Sequence, residues 1–201
     1  MTKEKILADI VKYSATAKDK RTKKLTPQFY YGNNWIINGF CAYKDADMPT
    51  LEMESTLHEN VISTADNLFA DNTIRELSNA IEIDIDVLKA WIKKHRRNDS
   101  RKVPFVIGIK KENDVRYVCV NGWYLRNQFE YLKDNYIFIQ PEKFKNSSGN
   151  KVYYGGIYSF SKDFTIKCIT LPVFCRGPIK VDYMIEEKKE YNKGFMFFFN
   201  L

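Results

Sequence analysis

The side chains most able to do chemistry in this chain are clustered cations. Lys89, Lys93, Lys94, His95, Arg96, Arg97, Arg101 and Lys102 fall within one stretch of fourteen residues. Such a surface holds phosphate by charge rather than by a shaped pocket, so its contacts are salt-sensitive and blind to base sequence. Lys5 and Lys12, followed by Lys18, Lys20, Arg21, Lys23 and Lys24, form a second basic group that extends the first if the two lie side by side. The plainer reading of either group is a solvated helix face followed by a basic loop.

Catalytic chemistry is poorly supplied. His58 and His95 are the only histidines, and the chain has no Gly-rich phosphate loop, Gly-x-Ser-x-Gly elbow or His-Glu-x-x-His pair. Asp66, Asp71, Glu76, Glu82, Asp84 and Asp86 lack a Lys or His partner at the spacing a metal-dependent nuclease needs. No catalytic residue, bound metal or cofactor is expected. Cys41, Cys119, Cys168 and Cys175 sit mostly in apolar runs without the close pairing of a zinc site, which predicts buried reduced thiols and a cytoplasmic setting. The charged, amphipathic N-terminus and the lack of a long apolar run predict neither a secretory signal nor a membrane span.

Charge is laid out in blocks of one sign. Residues 1–44 carry nine Lys/Arg against three Asp/Glu, 45–87 carry one against eleven, and 88–111 carry nine against one. Blocks of this kind either steer a charged partner or pair with one another. The acidic block is therefore expected to mask the basic ones or to occupy a face of its own.

The elements that must position these charges follow from apolar spacing. Ile6, Leu7, Ile10 and Val11 predict a first helix, and Gln28–Tyr31 with Trp35–Tyr43 predict two strands around Gly32-Asn33-Asn34. Ile81, Ile83 and Ile85 alternate as a strand, Asp86 is a candidate cap, and Leu88, Trp91 and Ile92 share a helix face. Residues 115–173 read as a strand, a helix capped by Asn121 and three strands: Tyr136–Gln140, Tyr153–Phe160 and Phe164–Val173. Leu7, Leu88 and Leu125 superpose with their neighbours in register, which points to an internal repeat. Val181–Ile185 and Phe195–Phe199 predict a terminal hairpin around a charged loop.

The order of elements in residues 115–174, with Val120-Asn121-Gly122-Trp123-Tyr124-Leu125 and the closing Ile169-Thr170-Leu171-Pro172-Val173, resembles the last half-domain of the bacterial replication sliding clamp, the beta subunit of DNA polymerase III. The first 45 residues are loosely similar. The resemblance implies an α+β, DNA-clamp-like fold with amphipathic helices packed on one face of antiparallel sheet. Four segments are implied: a first clamp-like half at 1–44, an acidic insertion at 45–80, clamp-like units at 81–174, and an extra hairpin at 175–201.

It also implies a non-enzymatic protein that contacts duplex DNA without sequence preference. The contacts would come from Lys5, Lys12, Lys89, Lys93, Lys94, Arg96, Arg97, Arg101 and Lys102. Leu171, Pro172, Val173 and Phe174 would line a groove for peptides of replication proteins, with Phe174 standing where the family has Arg, and the added hairpin able to occlude that groove. A ring would require several copies, hence a homo-oligomer. The alternative is a protein-interaction module, of phage or mobile-element origin, that copies clamp shape to engage replication proteins.

Overall fold

Thr2 opens the first helix, its hydroxyl facing the Lys5 amide at 3.4 Å, and the helix α1 runs Lys3–Lys12 with Ile6, Leu7, Ile10 and Val11 buried along one face. The computed structural model describes residues 1–18, 20–69, 81–95, 103–111, 114–133, 136–139, 156–173 and 180–186. Among them are three further helices, α2 Val61–Leu68, α3 Ile85–His95 and α4 Gly122–Leu132. The strands are β1 Thr16–Lys18, β2 Leu25–Pro27, β3 Tyr30–Gly32, β4 Trp35–Ile37, β5 Cys41–Asp45, β6 Ile81–Glu82, β7 Pro104–Lys111, β8 Asp114–Asn121, β9 Tyr136–Ile139, β10 Ile157–Phe160, β11 Ile166–Thr170 and β12 Tyr183–Glu186. The chain is thus mixed α+β. No described helix is long and apolar enough to cross a membrane.

A seven-stranded sheet in the order β3-β4-β5-β11-β10-β9-β6 forms the body. Its seam is the antiparallel pairing of β5 with β11, where Tyr43 faces Cys168 and Ala42 faces Ile169. On each side of that seam lies a helix followed by a three-stranded meander, α1 with β3–β5 and α4 with β9–β11. These two units meet edge to edge, with the β1–β2 pair lying between α1 and its meander in the chain. Helix α3 stands outside that pair, packing Leu88, Trp91 and Ile92 against a second sheet of order β12-β7-β8.

The expectation that all helices share one sheet face is corrected. Ile36, Cys41, Tyr43 and Cys168 meet α1 and α4 on one face, while Trp35, Ala42, Tyr158, Phe160 and Ile169 meet Ala65 and Phe69, in and just after α2, on the other. The central strands are apolar on both sides, as strands buried between two layers must be. Residues 45–69 supply the second layer and also close the free edge of β3. Ser55 Oγ accepts from the Tyr31 amide at 2.8 Å, and Thr56 Oγ1 accepts from that of Phe29 at 2.9 Å.

Four smaller expectations change. Trp35–Tyr43 is two strands rather than one, because Asn38 leaves the ladder: its Oδ1 accepts from the amides of Phe40 and Cys41, and its Nδ2 donates to the Ile10 carbonyl. Asp84, not Asp86, caps α3, its carboxylate accepting from the Asp86 amide at 2.8 Å. Strand β12 runs parallel to β7, so this sheet is not purely antiparallel; Phe195–Phe199, the other half of the expected hairpin, lies outside the described residues. Cys119 is disulfide-bonded, whereas Cys41 and Cys168 are free and buried as expected; Cys175 lies outside the described residues.

Helix α4 is the buried one. Asn121 Oδ1 caps it by accepting from the Trp123 amide at 2.9 Å, and eight of its residues, from Gly122 to Leu132, are buried. Gln128, wholly buried, reaches the sheet: Thr170 Oγ1 donates to its Oε1 at 2.6 Å, and its Nε2 donates to Ser159 Oγ and lies 3.2 Å from the Ile157 carbonyl. Gly122 lets α4 approach α3, since a Cβ there would overlap the Trp91 ring and come within 2.7 Å of the Val103 carbonyl oxygen. Gly122→Ala should therefore lower the chemical denaturation midpoint at unchanged m-value, by about 1–3 kcal/mol of stability. Tyr43→Phe should be neutral or mildly stabilising in the same assay, because the buried Tyr43 hydroxyl has no hydrogen-bond partner among the described residues to lose.

Candidate nucleic-acid interface

The amphipathic period of α3 separates its charges from its core. Leu88, Trp91 and Ile92 are buried while Lys89, Lys93 and Lys94 are exposed. Lys93, Lys94 and His95 occupy the last turn, where cations complement the negative end of the helix dipole. Only a loose pair engages these lysines among the described residues, Lys89 Nζ to Asp86 at 3.7 Å with both side chains well exposed. Pairs of that kind hold a side chain weakly. His95 folds back on its own helix, its ring 4.4 Å from that of Trp91 and its Nδ1 2.9 Å from the Trp91 carbonyl oxygen. A carbonyl only accepts, so Nδ1 carries the hydrogen in this arrangement.

On α1, Lys5 and Lys12 are exposed. Lys12 Nζ sits 5.4 Å from the centre of the Tyr13 ring, and Tyr13 in turn meets Trp123 edge-on at 5.1 Å and accepts through its carbonyl from Tyr124 Oη at 2.6 Å. Trp91 of α3 lies against Gly122. The C-terminal end of α1 and the C-terminal half of α3 therefore converge on the start of α4. Lys12 stands at that end of α1, and Lys5 lies two turns back along the same helix. Arg96, Arg97, Arg101 and Lys102 lie outside the described residues.

Of the residues expected to line a peptide groove, Leu171, Pro172 and Val173 make backbone contacts. The Leu171 amide donates to the Phe40 carbonyl at 2.8 Å and the Val173 amide to that of Cys119 at 2.7 Å, with Pro172 bridging to Val120. The segment thus ties the two sheets together, leaving Pro172 exposed and Leu171 and Val173 half-buried. Phe174 lies outside the described residues.

Nothing among the described residues assembles reactive groups. No group of three or more His, Cys, Asp or Glu could hold a metal ion there. Burial pushes the Cys41 and Cys168 thiols well above their ordinary range, which leaves both protonated and unreactive at neutral pH. A comparison with family models, curated proteins and solved structures returns no match.

Sequence reasoning missed the positions of two charged groups. One is the hairpin β1–β2, whose strands of three residues are too short to show a period. The other is Asp45, 2% exposed, which accepts from Lys3 Nζ at 2.7 Å, Tyr131 Oη at 2.8 Å and the Asp47 amide at 2.9 Å. This carboxylate fixes the start of α1 against the end of α4. Burial alone would raise its pKa, but the hydrogen bonds from Lys3, Tyr131 and Asp47 outweigh burial and hold it below the ordinary 3.8. A depressed carboxyl stabilises the fold above its unfolded pKa and loses that contribution as pH falls through the folded value. Acid titration of the melting temperature should therefore show stability falling below about pH 4, and Asp45→Asn should flatten that limb while costing about 1–3 kcal/mol at neutral pH.

Proposed function

We propose that this chain is a non-enzymatic, clamp-like protein that associates with duplex DNA through its phosphate backbone. The observation that carries the reading is the placement of cations. Lys89, Lys93 and Lys94 stand exposed on α3 over a buried apolar face, and Lys5 and Lys12 stand exposed on α1, whose end packs, as α3 does, against the start of α4. Two units of helix and meander meeting at β5 and β11 support the clamp-like part of the reading. With only two such units, one copy touches DNA rather than surrounding it, and encirclement would take a homo-oligomer. Sequence preference is not expected, because lysines act on phosphates as point charges. The reading sets the protein among cytoplasmic replication factors; the disulfide at Cys119 is a feature more at home in an oxidising compartment.

The experiment is retention on unrelated duplexes across a salt series, with particle size followed by light scattering. Wild-type protein should bind all duplexes alike, with an affinity that falls steeply as salt rises. Each phosphate contact contributes about 0.9 to the log–log slope, so the triple change Lys89→Gln, Lys93→Gln and Lys94→Gln should reduce it by about 2 to 3 without altering the melting temperature. Absence of salt-sensitive retention by the wild type would discard this reading. Capture of replication proteins without DNA would then favour a module that imitates a clamp, of phage or mobile-element origin.

A further inference from the structure

The hairpin β1–β2 contributes nothing to the core. Every described residue from Thr16 to Thr26 is exposed, Leu25 to 60%, and the two strands form a sheet of their own that pairs with no other strand. A lone two-stranded hairpin is marginal in water, so its persistence here needs another source of order. Its root supplies part of that. The Gln28 amide donates to the Ala15 carbonyl at 2.6 Å and the Ala15 amide to that of Asn38 at 3.5 Å, with Phe29 buried just beyond. The ribbon is thus fixed at its base and bare along its length.

That bare length is strongly basic. Lys18, Lys20, Lys23 and Lys24 are all exposed, and among the described residues no carboxylate forms an ion pair with any of them. The arm leaves the body four residues after Lys12, at the C-terminal end of α1. We propose that this hairpin is a nucleic-acid-binding arm whose lysines grip the phosphates of a duplex while the ribbon lies along its major groove. The groove, about 12 Å wide, admits a two-stranded ribbon. A membrane surface is the poorer partner, because interfacial anchors carry aromatic and aliphatic residues beside their cations, and this arm exposes only Leu25. The inference rests on the DNA-binding reading above but places a contact on an element that neither basic helix contains.

The test titrates a labelled duplex at several salt concentrations against three proteins: the full-length wild type, the arm variant Lys18→Gln/Lys20→Gln/Lys23→Gln/Lys24→Gln, and the α3 variant described above. Because the arm buries nothing, its variant should melt with the wild type. Its affinity should fall about tenfold or more, and its salt slope by about 3 to 4. An arm variant that keeps the wild-type affinity and slope overturns the inference; if the α3 variant is weakened in the same series, the DNA-binding reading survives alone. A wild type that ignores the duplex but binds vesicles containing phosphatidylserine overturns both.

Discussion

The near-complete burial of α4 is the constraint from which the remaining architecture follows. A helix in a dry interior can carry polar groups only where each finds a partner. Gln128 meets this by bonding across to β10 and β11, and Tyr124 and Tyr131 by reaching the Tyr13 carbonyl and Asp45. Asn127 does not, its Nδ2 being buried without a partner. Because α4 has so little wet surface, it cannot carry a basic face. Exposed lysines stand instead on α1, on α3 and on the β1–β2 hairpin.

The same burial accounts for what could be read from sequence. The period of Tyr124, Leu125, Phe129 and Leu132, the Asn121 cap and the three following strands were all legible, because local spacing and cap chemistry decide them. So were the stripes of α1 and α3. Which sheet face each helix takes was not legible, since Trp35, Ile36 and Ile37 are apolar in succession and give no alternation to orient them. The pairing of β5 with β11 brings together residues 42 and 169, a separation over which no local pattern speaks. In the register that superposes Leu7, Leu88 and Leu125, Gln128 falls at the position of Ile10 and Trp91. Its part in holding the helix to the sheet emerges only once Ser159 and Thr170 are placed opposite it.

Of the candidate interface, the exposure of Lys89, Lys93 and Lys94 followed directly from their helical spacing against Leu88, Trp91 and Ile92. That α1 and α3 both pack against the start of α4 did not, for it depends on Gly122 admitting the Trp91 ring and on Tyr13 meeting Trp123. The charge blocks resolve unevenly in the same way. Acidic residues of the second block pair with the first, Asp45 with Lys3 and Asp66 with Lys44 at 2.8 Å, whereas on α3 Asp86 engages Lys89 only loosely, at 3.7 Å within the helix. Masking is therefore partial among the described residues: it reaches Lys3 and Lys44 and leaves Lys93 and Lys94 without an ion pair.

Edge chemistry bears on how such a chain could assemble. Strand addition joins proteins through unpaired amides and carbonyls on a free edge. At β3 that edge is already engaged by Ser55, Thr56 and Leu57, which bond to the backbone of Phe29 and Tyr31. At the opposite end β6 offers two residues. The C-terminal half of β8 is held by Pro172 and Val173. A ring closed by pairing at β3 would first have to displace residues 55–57, at the cost of hydrogen bonds that the new strand merely replaces. Assembly through that edge therefore gains little.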